Sequence, residues 1–149
     1  MLIELKSAKY VLEVRTLDDY STIFFGCALL TTASNDLSAS KLINLERSLK
    51  YAALYGLSEL IPNSEPAFDV IFIDADKLNS TEYYKKAIQL SKSGAIIVAD
   101  NVIRGDTVLN SPSDDLSMMG IHAFNDHVSQ DSRVGCKSYD GFAIIQVKK

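Results

Sequence analysis

Two short apolar runs, each ending at polar side chains, constrain the fold of this chain more than any other feature. The polar residues follow the runs in this order: Asp74, Asp76 and Lys77 after residues 68–73, then Asp100 and Asn101 after residues 94–99. Near-continuous apolar runs are typical of parallel strands whose two faces are both covered by helices. The pattern therefore predicts an α/β fold with a mostly parallel sheet.

The polar residues at the ends of these runs are candidates for a ligand site. Open α/β sheets bind ligands in the crevice beyond the carboxyl ends of their strands, so two such strands would place these side chains along one rim. Carboxylate and amide oxygens suit a hard divalent cation such as Mg²⁺. The alternative is that the same residues only form turns and helix caps, for which Asp and Asn are favoured.

Length and composition limit the class of protein. A chain of 149 residues, with 47% hydrophobic and 23% charged residues, is expected to form one domain over residues 1–149. A net charge of −4 argues against a dedicated nucleic-acid binder. No apolar stretch approaches the roughly 20 residues needed to cross a bilayer, and no signal peptide is visible. We therefore expect no membrane partner and a cytoplasmic location.

Strand and helix signals alternate along the chain. Strands are expected at residues 10–14, 31–33, 69–73 and 95–99, and helices at residues 20–30, 38–57, 81–91 and 120–128. Residues 58–67 and 103–119 are expected to be loops. In the helix after Lys77, one of Tyr83 and Tyr84 is expected in the core and the other at the surface.

The C-terminal part of the chain predicts a hairpin. Asp140-Gly141 lies between two strand-like segments at residues 134–139 and 142–147, and an Asp-Gly pair in that setting is the strongest short hairpin signal. The whole pattern predicts a Rossmann-like, doubly wound and mostly parallel sheet with a C-terminal antiparallel hairpin.

The order of these segments resembles the cation-dependent O-methyltransferases of the catechol and caffeoyl-CoA type. Residues 11–22 resemble that family's first S-adenosylmethionine motif. Phe-Ile-Asp-Ala-Asp-Lys at residues 72–77 resembles its metal and base motif, and Val-Ala-Asp-Asn-Val at residues 98–102 resembles its second metal motif. Residues 120–134 and the closing hairpin also fit. Each motif alone is weak, and their order and spacing make the resemblance specific.

The resemblance implies roles for individual residues. It assigns metal ligation, proton transfer and cofactor binding as follows: Asp74, Asp100 and Asn101 as metal ligands, Lys77 as the residue that takes a proton from the substrate hydroxyl, and Glu13, Tyr20, Ser21, Asp36 and Asp74 in the cofactor pocket. The implied cofactors are S-adenosylmethionine and Mg²⁺ or another divalent cation. The implied substrate is a small, catechol-like aromatic hydroxyl compound, and a homodimer is left open.

The chain departs from the family pattern at the cofactor end. Arg15 and Asp19 stand where the family has glycine. Ser34 stands where the family's second strand ends in an acid that holds the cofactor ribose, so Asp36 is the expected substitute. Little sequence lies between Gly56 and the next strand, where the family has a third strand, and the family's preceding N-terminal helices have no counterpart. We therefore expect a sheet reduced by one strand in a shortened family member.

Two other functions stay open beside O-methyl transfer. One is a catalytically impaired or inactive remnant of the family that acts as a binding module or has lost its activity. The other is a nucleotide-binding oxidoreductase domain. The oxidoreductase is disfavoured because the first turn, after residue 14, lacks the Gly-x-Gly-x-x-Gly pattern.

Overall fold

The computed structural model describes residues 2–15, 27, 41–46, 57–58, 60–61, 68–102, 115–139 and 141–148. The strands in chain order are β1 (Tyr10–Arg15), β2 (Lys41–Glu46), β3 (Phe68–Asp74), β4 (Ser91–Ala99), β5 (Val134–Tyr139) and β6 (Phe142–Val147). The helices are α1 (Leu2–Leu5), a 3₁₀ helix (Lys77–Asn79), α2 (Ser80–Leu90) and α3 (Leu116–Gln130).

Within these ranges the six strands form one sheet in the order β2-β1-β3-β4-β6-β5. The first four strands in this order are parallel to one another. Strand β6 pairs antiparallel with both β4 and β5, so the C-terminal hairpin closes one edge of the sheet. The predicted α/β class, with a mostly parallel sheet and a C-terminal antiparallel hairpin, is confirmed.

The core lies where α2 and α3 pack on the sheet. Leu12, Ile71 and Ile97, from three neighbouring strands, are fully buried, as expected for central strands covered by helices. The rings of Tyr84 on α2 and Phe124 on α3 meet edge to face, with centroids 6.0 Å apart. No helix among the described residues is long and apolar enough to cross a membrane.

The predicted helix over residues 38–57 is wrong at its start, because Lys41–Glu46 is strand β2. The apolar residues in this segment also fit the three- to four-residue spacing of a helix. Six consecutive residue pairs with β1 show that the segment forms a strand. Tertiary context commonly overrides a short local pattern in this way. The predicted strand at residues 31–33 lies outside the described residues, as does the predicted helix at residues 20–30 except for Cys27, which is helical.

Two loop predictions are corrected in part. Helix α3 begins at Leu116, inside the predicted loop at residues 103–119, because the Asp115 carboxylate accepts a hydrogen bond from the Ser117 N–H at 2.8 Å and caps the helix. Residues 103–114 lie outside the described part of the chain. Within the predicted loop at residues 58–67, Ser58, Leu60 and Ile61 are helical.

Asp69 joins three strands at the amino end of the sheet. Its carboxylate accepts hydrogen bonds from the backbone N–H groups of Lys9 and Tyr10 and from the Lys92 ammonium, each at 2.9 Å. Burial acts to raise the pKa of Asp69, but the hydrogen bonds from Lys92, Tyr10 and Lys9 outweigh it and hold the pKa below its usual range. Asp69 therefore stabilises the fold in its ionised form.

Asp69→Ala is expected to lower the free energy of unfolding at neutral pH by about 1.5–3 kcal/mol, since it removes several charge-assisted hydrogen bonds. A group with a lowered folded-state pKa stabilises above its unfolded pKa of about 4, and this contribution is lost as pH falls through the folded value. The difference in the free energy of unfolding between variant and parent should therefore be smaller at acidic pH. Urea unfolding at neutral and acidic pH measures it. Glu82→Ala, which breaks an exposed ion pair with Lys85, is the control and should cost less than about 1 kcal/mol.

Candidate active site at the carboxyl ends of β3 and β4

The two acidic strand ends lie at the same edge of the sheet. Strands β3 and β4 are parallel neighbours, with Ile73 opposite Ala99. Asp74 ends β3 and Asp100 directly follows β4, and the Asp100 N–H donates to the Ile73 carbonyl at 3.0 Å. Parallel pairing therefore brings together two carboxylates that are 26 positions apart in the sequence.

Lys77 bridges these two strand ends. Its Nζ lies 3.3 Å from Asp74 Oδ1 and donates to the Asp100 carbonyl oxygen at 2.9 Å. The Lys77 side chain is only 17% exposed, so it lies along the rim rather than in open solvent. In general, a lysine amine in its neutral form can accept a proton from a hydroxyl held beside it.

The electrostatic environment of Asp100 favours a cation. Burial is the main cause that raises the pKa of Asp100, and the nearby Asp74 carboxylate raises it further. The Asn101 N–H, which donates to Asp100 Oδ1 at 2.6 Å, and the Lys77 ammonium lower it in part. A carboxylate whose charged form is disfavoured by burial and by a neighbouring carboxylate is stabilised by a bound cation.

The donor set fits a hard divalent cation. Asp74 and Asp100 offer carboxylate oxygens and Asn101 offers an amide oxygen, which are ligands of the kind that Mg²⁺ prefers. Asn101 is exposed and has a positive φ of 53°, a conformation that Asn tolerates better than most residues. No cluster of three His, Cys, Asp or Glu side chains occurs in the described ranges. A cation here would thus depend on the amide of Asn101 and on non-protein ligands.

A shallow depression adjoins this rim. It has room for about one water molecule. Its lining comes from β3, β4, α3 and the segments after the strands: Ile73, Ala75, Lys77, Ser80, Ala99, Asp100, Asn101, Val102, Ile121 and Phe124. The lining of the depression therefore combines polar and apolar residues.

Asp76, expected on the rim, caps the 3₁₀ helix that carries Lys77. Its carboxylate accepts hydrogen bonds from the Asn79 N–H at 3.2 Å, from Asn79 Nδ2 at 2.8 Å and from the Tyr83 hydroxyl at 2.6 Å. Burial, together with this carboxylate, raises the pKa of Tyr83 far above its usual range. Asp76 thus fixes the turn between β3 and α2.

The predicted cofactor residues are only partly described. Glu13 is fully buried in β1, and its Oε1 lies 3.7 Å from Arg15 Nη1. Tyr20, Ser21 and Asp36 lie outside the described residues.

Strand β2 supplies an acid that the sequence pattern did not single out. Glu46 ends β2, at the register position opposite Arg15 at the end of β1. The strand that pairs with β1 therefore ends at residue 46, whereas Ser34, expected at the end of the second strand, lies outside the described residues. The available signal was the segment Lys-Leu-Ile-Asn-Leu-Glu at residues 41–46, a short apolar run that stops at an acid.

The chain is similar in sequence and in fold to known O-methyltransferases. A family model described as O-methyltransferase matches residues 35–139. A catechol O-methyltransferase from Niastella koreensis is 35% identical over 178 residues, which cover 99% of this chain and 77% of the relative. Among solved structures, a putative O-methyltransferase from Klebsiella pneumoniae has a TM-score of 0.79 at 30% identity. The O-methyltransferase from Bacillus cereus, in complex with SAH, has a TM-score of 0.76 at 29% identity. Each match covers 99% of this chain and 77% of the other.

The match to the Niastella relative also bears on the internal length of the chain. It extends over 178 residues, more than the 149 of this chain. The relative therefore has residues between the matched ends that lack a counterpart here. This agrees with the expected internal shortening.

Proposed function

Because this chain belongs to the O-methyltransferase family, we propose that it transfers the methyl group of S-adenosylmethionine to a hydroxyl of a small, catechol-like aromatic substrate, with a divalent cation at the site. The observation that carries the proposal is the placement of Lys77 Nζ between Asp74 Oδ1 and the Asp100 carbonyl. This placement supports a role for Lys77 as proton acceptor beside the proposed oxygen ligands of the cation.

The cofactor is proposed to lie at the carboxyl ends of β1 and β2. The Bacillus cereus neighbour is in complex with SAH, the molecule that S-adenosylmethionine becomes when it gives up its methyl group. Glu13, which is buried, is the acid of β1, and Glu46, the last residue of β2, is the acid of that strand. We assign the ribose to Glu46 in place of Asp36, because the family's ribose acid ends the strand that follows β1.

The cation is proposed to be held by Asp74, Asp100 and Asn101. When bound, it would lower the pKa of a substrate hydroxyl, as divalent metals do for bound water. Two neighbouring hydroxyls, as in a catechol, suit a metal that keeps positions free of protein ligands. The Niastella relative is a catechol O-methyltransferase, which supports this substrate class.

Lys77 is proposed to take the hydroxyl proton on Nζ and later release it to solvent. When bound, S-adenosylmethionine would supply the methyl group: the substrate oxygen would bond to the methyl carbon as the bond from that carbon to sulfur breaks, with its electron pair left on sulfur. Ile121 and Phe124, which line the depression, are proposed to keep water away from the reacting groups. The chain contributes mainly by holding the groups in line, which is a large source of rate enhancement.

Asp74→Ala is expected to abolish stabilisation by Mg²⁺, because it removes one of the three proposed cation ligands. A ligand present at 100 times its dissociation constant stabilises the native state by about 2.7 kcal/mol, so the loss is measurable by thermal unfolding with and without Mg²⁺. Asp126→Ala, which removes an exposed carboxylate on α3, is the matched control and should respond like the parent.

Two results would contradict the proposal at different levels. An unchanged Mg²⁺ response in Asp74→Ala would remove the metal site from this rim. Failure of the parent chain to methylate catechol, with S-adenosylmethionine and Mg²⁺ both shown to bind, would reject the proposed substrate class.

A further inference from the structure

Helix α3 approaches the segment that carries Lys77 at one glycine. Gly120 is buried, and a Cβ atom at this position would overlap the Lys77 carbonyl oxygen. The same atom would lie 2.7 Å from the Lys77 carbonyl carbon and 2.6 Å from Leu78 Cα. Cβ atoms essentially never come this close to backbone, so any larger residue would force α3 and the 3₁₀ helix apart.

Neither side of this contact can yield by rotating a side chain. The atoms that Gly120 faces are backbone atoms, and the 3₁₀ helix is itself held by the hydrogen bonds that Asp76 accepts from Asn79 and Tyr83. Gly120 itself lies within the 15-residue helix α3. A glycine there costs up to about 1 kcal/mol relative to alanine, and the close approach is the feature that requires it.

The same helix also holds the other half of the candidate site. Asn125 Nδ2 donates to the Val102 carbonyl at 3.0 Å, and the Val102 N–H donates to the Gly141 carbonyl at 2.7 Å. Val102 directly follows Asn101. Helix α3 therefore contacts both the segment that carries Lys77 and the segment that carries Asp100 and Asn101.

We propose that Gly120 is a positioning residue for Lys77. By letting α3 lie directly on the 3₁₀ helix, it sets the depth at which Lys77 Nζ reaches both Asp74 Oδ1, at 3.3 Å, and the Asp100 carbonyl, at 2.9 Å. A displacement of about 1 Å would take both contacts beyond hydrogen-bond range. The inference rests on the role proposed above for Lys77 and adds the structural element that holds it in place.

The first test compares two glycine-to-alanine variants. Gly120→Ala is expected to lower kcat for methyl transfer by about 10²-fold, the loss typical of a misplacement of about 1 Å, with KM for S-adenosylmethionine changed less than about threefold. Gly135→Ala is the control, because a Cβ atom added at Gly135 would meet nothing within 4 Å, and its kinetics should match the parent. Equal kcat values for the two variants would overturn the proposal.

A double-mutant cycle separates positioning from a general structural role. In a Lys77→Ala background, Gly120→Ala should cause no further loss of kcat, because the side chain it acts through is gone. A full additional loss in that background would overturn the proposal. So would a Gly120→Ala chain that no longer folds, since the glycine would then serve the core and not the position of Lys77.

NMR spectroscopy tests the proposed role of Gly120 without requiring catalytic activity. The backbone amide resonances of Leu78 and Asn79 should shift in the ligand-free Gly120→Ala chain and stay in place in Gly135→Ala. If the parent transfers no methyl group, the proposed function fails while these resonances still decide whether Gly120 sets the position of the segment. Unchanged Leu78 and Asn79 resonances in Gly120→Ala would refute the inference even if the parent is active.

Discussion

Lys77→Ala is expected to lower kcat for methyl transfer by about 10²–10⁴-fold, the range for loss of a positioned general base. The variant removes the only side chain that, among the described residues, contacts both Asp74 Oδ1 and the Asp100 carbonyl. Affinity for S-adenosylmethionine should change little, since the proposed cofactor acids lie on β1 and β2. Steady-state kinetics and calorimetry with the cofactor measure the two effects separately.

Two further variants sharpen this expectation. Lys85→Ala removes a nearby lysine whose contact is an exposed ion pair with Glu82, and its kcat should equal that of the parent. Lys77→Arg keeps the positive charge but cannot deprotonate at ordinary pH, so it should be nearly as slow as Lys77→Ala. Full activity of Lys77→Arg would show that Lys77 supplies charge and not a proton acceptor.

The parts of this molecule that were predictable from sequence are those that local patterns determine. The apolar runs before Asp74 and Asp100 predict parallel strands, and parallel pairing alone requires that their carboxyl ends meet. The hairpin at Gly141 follows from turn chemistry in the same way, because that glycine has a positive φ of 90°.

The parts that sequence did not predict depend on tertiary contacts. Strand β2 has an apolar spacing that also fits a helix, and only its pairing with β1 decides the outcome. Tyr83 and Tyr84 are adjacent, so helical geometry predicts one buried and one exposed ring, yet both are fully buried. Their hydroxyls donate to Asp76 and Asp131, respectively, and these acceptors satisfy polar groups that burial would otherwise penalise.

The close approach at Gly120 likewise leaves no local signal. In the sequence, a glycine inside a helix indicates only a lower stability of that helix. Nothing in the neighbouring residues identifies Lys77, 43 positions earlier, as the residue that Gly120 contacts. Residues that position a site from a different secondary-structure element are therefore the ones that a single sequence does not reveal. Phe124, which packs in the core and lines the candidate site, belongs to the same group.

Phe124→Ala is expected to lower the free energy of unfolding by about 3–5 kcal/mol, the usual cost of truncating a buried phenylalanine. Phe124 is 1% exposed and packs edge to face on Tyr84, so the cavity would open between α2 and α3. Domains of this size are stable by only about 5–15 kcal/mol, which makes this a large fraction of the total. Urea unfolding measures the change, and the melting temperature should fall by roughly 10 °C.

The matched control for this variant is Phe142→Ala. Phe142 is 39% exposed at the start of β6, so its truncation should cost about 1 kcal/mol or less, as for most partly exposed positions. Phe124→Leu should recover most of the stability, because a large apolar side chain still fills the space. Equal losses for Phe124→Ala and Phe142→Ala would contradict this packing of Phe124. The contact between α2 and α3 would then contribute little to the stability of the segments that hold Lys77 and Asn101.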